Sequence, residues 1–274
     1  MSADDLTSEE QTAILAERYS QSAAGYDASW SPVIRPIGEH LLRHLPLATA
    51  VDVIDVGTGA GALLPSIQKA APNATVLGVD NSEGMLRLAR DKHAGPLMLM
   101  DVQDLGLPDN HFDVAVAAFV LFHLPSPDRC LREVNRVLKP GGAFGSVTWA
   151  VVNDPPADAI WAEELAAAGA TIMRLTATDS YSRCDSPEKV AALLEHAGFT
   201  SINAWTQPLD YQWQPDEHYI DQQFRGAMLR LRLLSAPDRE ACLGRVRDRL
   251  AGLGADQYID RSEVVLATAV KGAG

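Results

Sequence analysis

Residues 51–61 read Val51-Asp52-Val53-Ile54-Asp55-Val56-Gly57-Thr58-Gly59-Ala60-Gly61, an apolar run that opens into a loop with a glycine at every second position. The near-continuous run Val51–Val56 is the pattern of a strand covered on both faces. A helical pattern follows over Ala60–Ala71. Glycine lets the chain turn tightly and lets a ligand come up against the backbone, and a strand, a glycine loop and a helix in that order cradle a nucleotide-like cofactor. A plain strand–helix turn does not call for three glycines.

Outward from this stretch the pattern repeats. Thr75–Asp80 reads as a second strand ending on an acid, Ser82–His93 as a helix capped by Ser82, and Leu97–Met100 as a third strand leading to Asp101. Phe112–Ala118 is a fourth strand, Asp128–Leu138 a helix, Lys139-Pro140-Gly141-Gly142 a stop-and-turn signal, and Ala143–Trp149 a fifth strand. Strands and helices alternating at this spacing imply a doubly wound α/β fold, a parallel sheet with helices on both faces. Before it, residues 7–24 and 33–45 read as two helices, separated by a polar stretch holding Tyr26 and Trp30. After it, Asp158–Ala168 reads as a helix and Ser186–Ala197 as another, with Ser186 as N-cap and Pro187 at the first helical position. Ser201–Trp213 and Glu263–Val270 read as strands, with a helical, Arg-rich stretch at 215–252 between them.

Composition narrows the function. The chain has 274 residues, 47% of them hydrophobic, and a net charge of −13, enough to bury a core and too acidic for sequence-independent binding to nucleic acid, which needs cations against phosphate. The acidic start is not that of a signal peptide, and no run approaches the ~20 apolar residues that span a bilayer. Cys130, Cys184 and Cys242 lie far apart without metal-ligand spacing and read as free thiols. The expectation is a cytoplasmic protein, monomer or homodimer, with a small-molecule partner and no nucleic-acid or membrane partner.

The loop itself leaves two cofactors open. Gly57-x-Gly59-x-x-Ala62 fits the dinucleotide fingerprint, and Asp80 stands where an acid binds a ribose diol, so NAD and S-adenosylmethionine both fit. Three features favour S-adenosylmethionine. Asp55 places a carboxylate near the end of the first strand, where a charged amino-acid end can be held. Asp101-Val102 follows the third strand, where an acceptor can meet an adenine amine. The fourth strand runs into Ala118-Phe119-Val120-Leu121-Phe122-His123, then a helix, Lys-Pro-Gly-Gly and the fifth strand.

In this order of residues the chain resembles the class I S-adenosylmethionine-dependent methyltransferases, in particular the type 11 group that includes ubiquinone/menaquinone C-methyltransferases. The matching pieces are Asp55-Val-Gly-Thr-Gly-Ala-Gly61, Gly78-Val-Asp80 with Ser82-Glu-Gly-Met85, Asp101-Val-Gln-Asp104 with Leu107-Pro, Phe112-Asp113, Leu131-Arg-Glu-Val-Asn-Arg-Val-Leu-Lys-Pro-Gly-Gly142, and the Tyr26-Asp27 pair. The resemblance is dense from about residue 19 to 149 and thinner beyond. It implies a Rossmann-like sheet of seven strands, the last (Glu263–Val270) antiparallel and beside the fifth. The segments outside the repeated βα pattern read as an N-terminal helical lid at 1–45 and as cap insertions at about 150–185 and 215–252 of a methyltransferase domain at 46–274.

The resemblance also implies a cofactor set of Asp55, Gly57, Thr58, Gly59, Gly61, Asp80, Asn81, Met85, Asp101, Val102 and Phe119. Gly57, Gly59 and Gly61 would pass beneath the methionine and ribose, Asp80 would take the ribose hydroxyls, and Met85 and Val102 would flank adenine with Asp101 at its amine. Phe119 would meet the methionine end.

Methyl transfer is an in-line displacement for which alignment is most of the protein's task. An oxygen acceptor needs a base, while an amine has to arrive neutral. His123, at the carboxyl edge of the sheet, is the candidate base; a capping or supporting histidine is the other reading of the same residue. Oxygen is the favoured acceptor atom if His123 is a base, with carbon and nitrogen open. Tyr19, Tyr26 and Trp30 are either a lid over the cofactor or core aromatics, and Tyr26 is paired with His123 as a catalytic candidate. Tyr19, Trp30, Trp149, Phe224 and Met228, with Trp161 and Met173, are candidate walls for the acceptor.

The Asn153-Asp154-Pro155-Pro156 stretch lacks the aromatic residue of nucleic-acid amino-methyltransferases and follows the wrong strand. The seven arginines between Arg225 and Arg249 are interspersed with Asp238, Glu240 and Asp248 and read as a solvated face with local ion pairs. No set of carboxylates suggests a metal. Rival functions are an NAD-dependent oxidoreductase and a protein of this fold that binds S-adenosylmethionine without transferring methyl, either cyclase-like or regulatory.

Overall fold

A computed structural model describes residues 7–171, 180–224 and 227–273. The elements in chain order are α1 (Ser8–Leu42), β1 (Asp52–Val56), α2 (Leu64–Ala70), β2 (Thr75–Asp80), α3 (Glu83–Arg90), β3 (Leu97–Leu99), β4 (Phe112–Ala118), α4 (Pro127–Val137), β5 (Leu138–Val151), α5 (Pro156–Ala167), α6 (Ser180–Arg183), α7 (Pro187–His196), β6 (Phe199–Gln212), α8 (Pro215–Phe224), α9 (Met228–Arg232), α10 (Ala236–Leu250) and β7 (Ile259–Lys271). The seven strands form one sheet in the order β3-β2-β1-β4-β5-β7-β6. The pairs from β3 to β5 are parallel, and β7 lies antiparallel beside β5, as expected. The strand order reverses between β1 and β4, and ligands of open α/β sheets bind at such a switch point.

The strands form because their residues are apolar on both faces. Val53, Ile54, Val56, Val114, Ala115, Val116 and Phe144 are buried completely or nearly so. Burial of this kind contributes roughly 25 cal/mol per Å² of apolar surface. Ser82 and Ser186 act as the expected N-caps, each accepting a backbone N–H three residues on, from Met85 and Lys189 at 3.3 Å.

Two readings of the sequence are corrected. Residues 7–24 and 33–45 are not two helices but parts of one 35-residue helix that includes Pro32 and Pro36. Thr7 and Glu10 close a capping box at its start. Trp30, Val33, Ile37 and Leu41 are buried at helical spacing, and this tertiary burial outweighs the local cost of the prolines. The buried residues are unevenly spread: Thr12 and Ala23 in the first part, against Trp30, Val33, Ile37, Gly38, Leu41 and Leu42 beyond. The second correction concerns Lys139–Gly142, which does not stop the chain. β5 runs through it from Leu138, and the partner of β4 jumps from Leu138 to Ala143. The signal marks a bulge with Gly141 at φ 79°.

The chain divides into two compact units, one of residues 1–151, 177–207 and 263–274, the other of 152–176 and 208–262. In the second unit α5 and α10 are tied by Glu164, which accepts from Arg245 at 2.7 Å and Arg249 at 2.9 Å, and by Glu163 with Arg249 at 2.6 Å. These arginines therefore find their acids on α5 rather than within their own stretch. Asp158 accepts from Gln222 at 2.8 Å and is bonded to His218 Nε2 at 2.6 Å, joining α5 to α8.

Candidate functional site

The first unit holds a cavity with about 910 Å³ of empty space, part of it open to solvent, at the carboxyl ends of β1, β2 and β4. Its floor is the glycine loop. Gly57 and Gly59 have φ of 71° and 54°, the left-handed region that costs other residues roughly 1–2 kcal/mol. A Cβ on Gly57 would stand 2.5 Å from Val120 Cγ2, whereas one on Gly59 would meet nothing within 4 Å. Gly57 is thus required by packing, and Gly59 leaves backbone open to a ligand.

Two carboxylates border the floor. Asp55 is 3% exposed, accepts the Thr58 hydroxyl at 2.6 Å, and is pushed up to about 6 by burial, against the Thr58 bond and with a contribution from Asp80. Asp80 accepts the Gly59 N–H and the Ser82 N–H, both at 2.8 Å, and burial raises it despite these bonds. Among the described residues lining the cavity none is Lys or Arg. A cation entering here would meet two buried acids and no positive side chain.

Met85 and Val102 line the cavity as well, each buried. Phe119 directly follows β4 with φ 60°, its N–H donating to Val147 O at 2.8 Å. A non-glycine residue held in that region stores strain at a cost of order 1–3 kcal/mol, which is found most often where function demands the geometry.

The roof is α1, which contributes Leu15, Tyr19, Tyr26, Ser31 and Ile34. The Tyr19 hydroxyl lies 2.8 Å from His123 Nε2, across 104 residues of sequence, and its ring packs edge-on against Tyr26 at 5.4 Å. Burial, with Arg18 adding, pushes His123 down to about 3. Its imidazole is therefore neutral at pH 7, with a lone pair on one ring nitrogen. The roof is seated by further bonds: Ser20 to Ser82 at 2.8 Å between hydroxyls, Gln103 Nε2 to Thr12 at 3.3 Å, and a close approach of Gly84 to the Ser20 backbone, where a Cβ would stand 2.6 Å from Ser20 O.

Of the residues singled out from sequence, Tyr19, Tyr26, Asp55, Gly57, Thr58, Gly59, Asp80, Asn81, Met85, Val102, Phe119 and His123 share this cavity. Gly61 stands back from it, its space closed by Ala89. Asp101 faces a neighbouring groove that it shares with Asn81, Glu83 and Arg87, and its Oδ1 accepts the Gln103 N–H at 2.9 Å. Trp149 backs the wall, 5.0 Å from the Phe119 ring and 5.7 Å from Trp30. Trp161 and Met228 belong to the second unit, Trp161 2% exposed with its ring tilted against Tyr219 at 5.3 Å. Met173 and the Phe224 side chain lie outside the described residues. Sequence reasoning missed Leu15, Ser31 and Ile34, which line the cavity from α1 and carry no local signal that sets them apart from other helix residues.

Residues 54–145 match the family described as "Methyltransferase domain". A ubiquinone/menaquinone biosynthesis C-methyltransferase from Burkholderia cenocepacia is 38% identical over 109 residues, 38% of this chain and 45% of that protein. The chain thus spans about half the length of several curated relatives it matches. The namesake protein from Cupriavidus necator is 32% identical over 165 residues, 55% of this chain and 68% of the relative. The chain belongs to the class I S-adenosylmethionine-dependent methyltransferases. Among solved structures, the [4+2]-cyclase SpnF superposes with a TM-score of 0.61 over 98% of each chain at 19% identity, a likeness of fold. S-adenosylmethionine is the cofactor of this methyltransferase family, and the acidic cavity with its open Gly59 fits a ligand that carries positive charge. Among the described residues no helix is long and apolar enough to cross a membrane, and no group of three or more His, Cys, Asp or Glu could hold a metal.

Proposed function

We propose that the protein binds S-adenosylmethionine in the roofed cavity and transfers its methyl group to a small molecule that gives up a proton as it is methylated. The observation that carries this reading is the charge of the lining: Asp55 and Asp80 without a Lys or Arg. A dinucleotide would bring its pyrophosphate against Asp55, and Coulomb repulsion at close range in a poorly solvated site disfavours that. S-adenosylmethionine supplies a methyl group already activated on a sulfonium.

The chain's residues do the rest. Asp80 accepts from the ribose hydroxyls beside the bonds it already holds, since each carboxylate oxygen has two lone-pair sites. Asp55 faces the positive end of the ligand, which favours its ionised form. Met85 and Val102 flank the adenine. Phe119, backed by Trp149, closes the methionine end. The Tyr19–His123 pair is the proton route of this reading: in the tautomer that leaves Nε2 unprotonated, a proton moves onto Tyr19 as Tyr19 passes its own to Nε2, at the cost of forming an imidazolium that burial disfavours. Deprotonating a hydroxyl makes nucleophilic either its oxygen or, in an aromatic ring, the adjacent carbon. Oxygen and carbon transfer are thus open to one machinery, and the carbon case agrees with the names of the relatives.

Thermal-shift measurements with S-adenosylmethionine, its demethylated product and NAD test the cofactor, with stabilisation by the first two expected. Stabilisation by NAD alone would reject the reading. Label transfer from S-adenosylmethionine into a metabolite extract, followed by isolation of the labelled compound, tests the reaction and identifies the acceptor atom.

A further inference from the structure

Lys92, two residues past α3, is absent from the cavity lining, yet its ammonium joins the two parts that build the cavity. It donates to the Ala60 carbonyl at 2.9 Å and pairs with the Asp27 carboxylate of α1. The same Asp27 oxygen accepts the Ser31 hydroxyl at 2.6 Å. Ala60 and Ser31 line the cavity, and Asp27 directly follows Tyr26, which does too. Ala60 also stands between Gly59 and Gly61, both left-handed at φ 54° and 76°. Flanked by two glycines, its peptide has unusual freedom, so whatever binds its carbonyl sets its direction.

The other polar fastenings of the first part of α1 described above are neutral: Thr12 to Gln103, Tyr19 to His123 and Ser20 to Ser82. The Lys92–Asp27 pair is ionic and only 30% and 22% exposed. Charge-assisted bonds are roughly twice as strong as neutral ones, and partly buried charges are screened less than surface ones. It is therefore more than a solvated pair on an open helix face.

We propose that Lys92 is a positioning residue for the cofactor: through Asp27 it holds α1 down as the roof, through the Ala60 carbonyl it fixes the glycine loop, and cofactor residence depends on it without contact. This rests on reading the cavity as the S-adenosylmethionine pocket.

Two readouts on the full chain test it, dissociation of S-adenosylhomocysteine by stopped flow and amide hydrogen exchange across residues 15–31. Lys92→Met is expected to speed dissociation about tenfold or more, the scale of losing a charge-assisted bond, and to speed exchange of those amides with or without ligand. Asp27→Asn is expected to act in the same direction, and the double variant to be no worse than the stronger single one, as for two members of one interaction. Lys92→Arg, which keeps the charge, should stay near wild type. Unchanged dissociation and exchange in Lys92→Met, or fully additive effects of the two substitutions, would overturn the proposal. Should Lys92→Met fail to fold, Asp27→Asn decides it by the same two readouts. Should the wild type fail to bind S-adenosylhomocysteine, the cofactor reading falls, and exchange alone judges whether Lys92 holds the roof.

Discussion

The floor and the roof of the cavity are built on opposite principles. The floor, Asp55 to Gly61 with Asp80, is a local structure: its conformation comes from left-handed glycines, and its bonds span few residues or join neighbouring strands. The roof is one long helix held by side chains to partners 62 to 104 residues away, at Ser82, Lys92, Gln103 and His123. A backbone-built floor suits recognition of a constant cofactor. A roof built of side chains is the part on which acceptor chemistry can vary, and the tyrosine that meets His123 comes from it.

If this division of labour is right, the largest effect should fall on turnover and come from the pair that joins the two regions. His123→Ala is expected to lower kcat roughly 10²–10⁴-fold, the range for a lost general base, with little change in S-adenosylmethionine affinity, and Tyr19→Phe should follow it. Full activity in both would reduce the pair to a fastening. On the floor, Gly57→Ala combines a left-handed backbone with a Cβ driven into Val120. The expected loss is about 2–5 kcal/mol in urea unfolding, the sum of the two penalties. Adding Val120→Ala should restore only the steric share, so full restoration would mean the backbone conformation costs nothing.

Asp55 sharpens the comparison through pH. Its folded-state value, about 6 against 3.8, means the native state holds this proton more tightly than the unfolded chain. The associated stability is full below about 4 and is lost as pH rises toward 6, by roughly 3 kcal/mol. Relative to wild type, ligand-free Asp55→Asn should therefore gain stability between pH 4 and 6 and hold the gain above, in denaturant titrations across that range. A pH-independent difference would show the acid to be better solvated than its 3% exposure suggests. The smallest effect is expected from Asp80→Ala, which should weaken S-adenosylmethionine binding by about 1–3 kcal/mol in calorimetry; an unchanged dissociation constant would contradict the ribose role.

The same contrast explains what the sequence disclosed. The floor was legible because its determinants are short-range: the order of apolar strand, Gly57, Gly59 and terminal Asp80 states its own conformation. The antiparallel β7 and its place beside β5 followed from the family pattern. The roof was half legible. Tyr19 and Tyr26 stood out as aromatics, but the polar, small-residue stretch between 24 and 33 read as a break, and what carries the helix through it and past Pro32 and Pro36 is burial of Trp30, Val33, Ile37 and Leu41. Burial depends on what packs opposite, which no local window contains. For the same reason Lys92 was invisible: a lysine after a helix is unremarkable until Asp27 and the Ala60 carbonyl converge on it.

The two prolines in α1 have a mechanical meaning. Each removes a hydrogen bond from the helical ladder and crowds the preceding turn, so the rod is weakest near residues 28–36. Beyond that point it is sunk in the core; before it, the segment bearing Leu15, Tyr19 and Tyr26 has few buried anchors. The prolines thus set a mechanical boundary in one continuous rod, between a planted base and the span that covers the cavity.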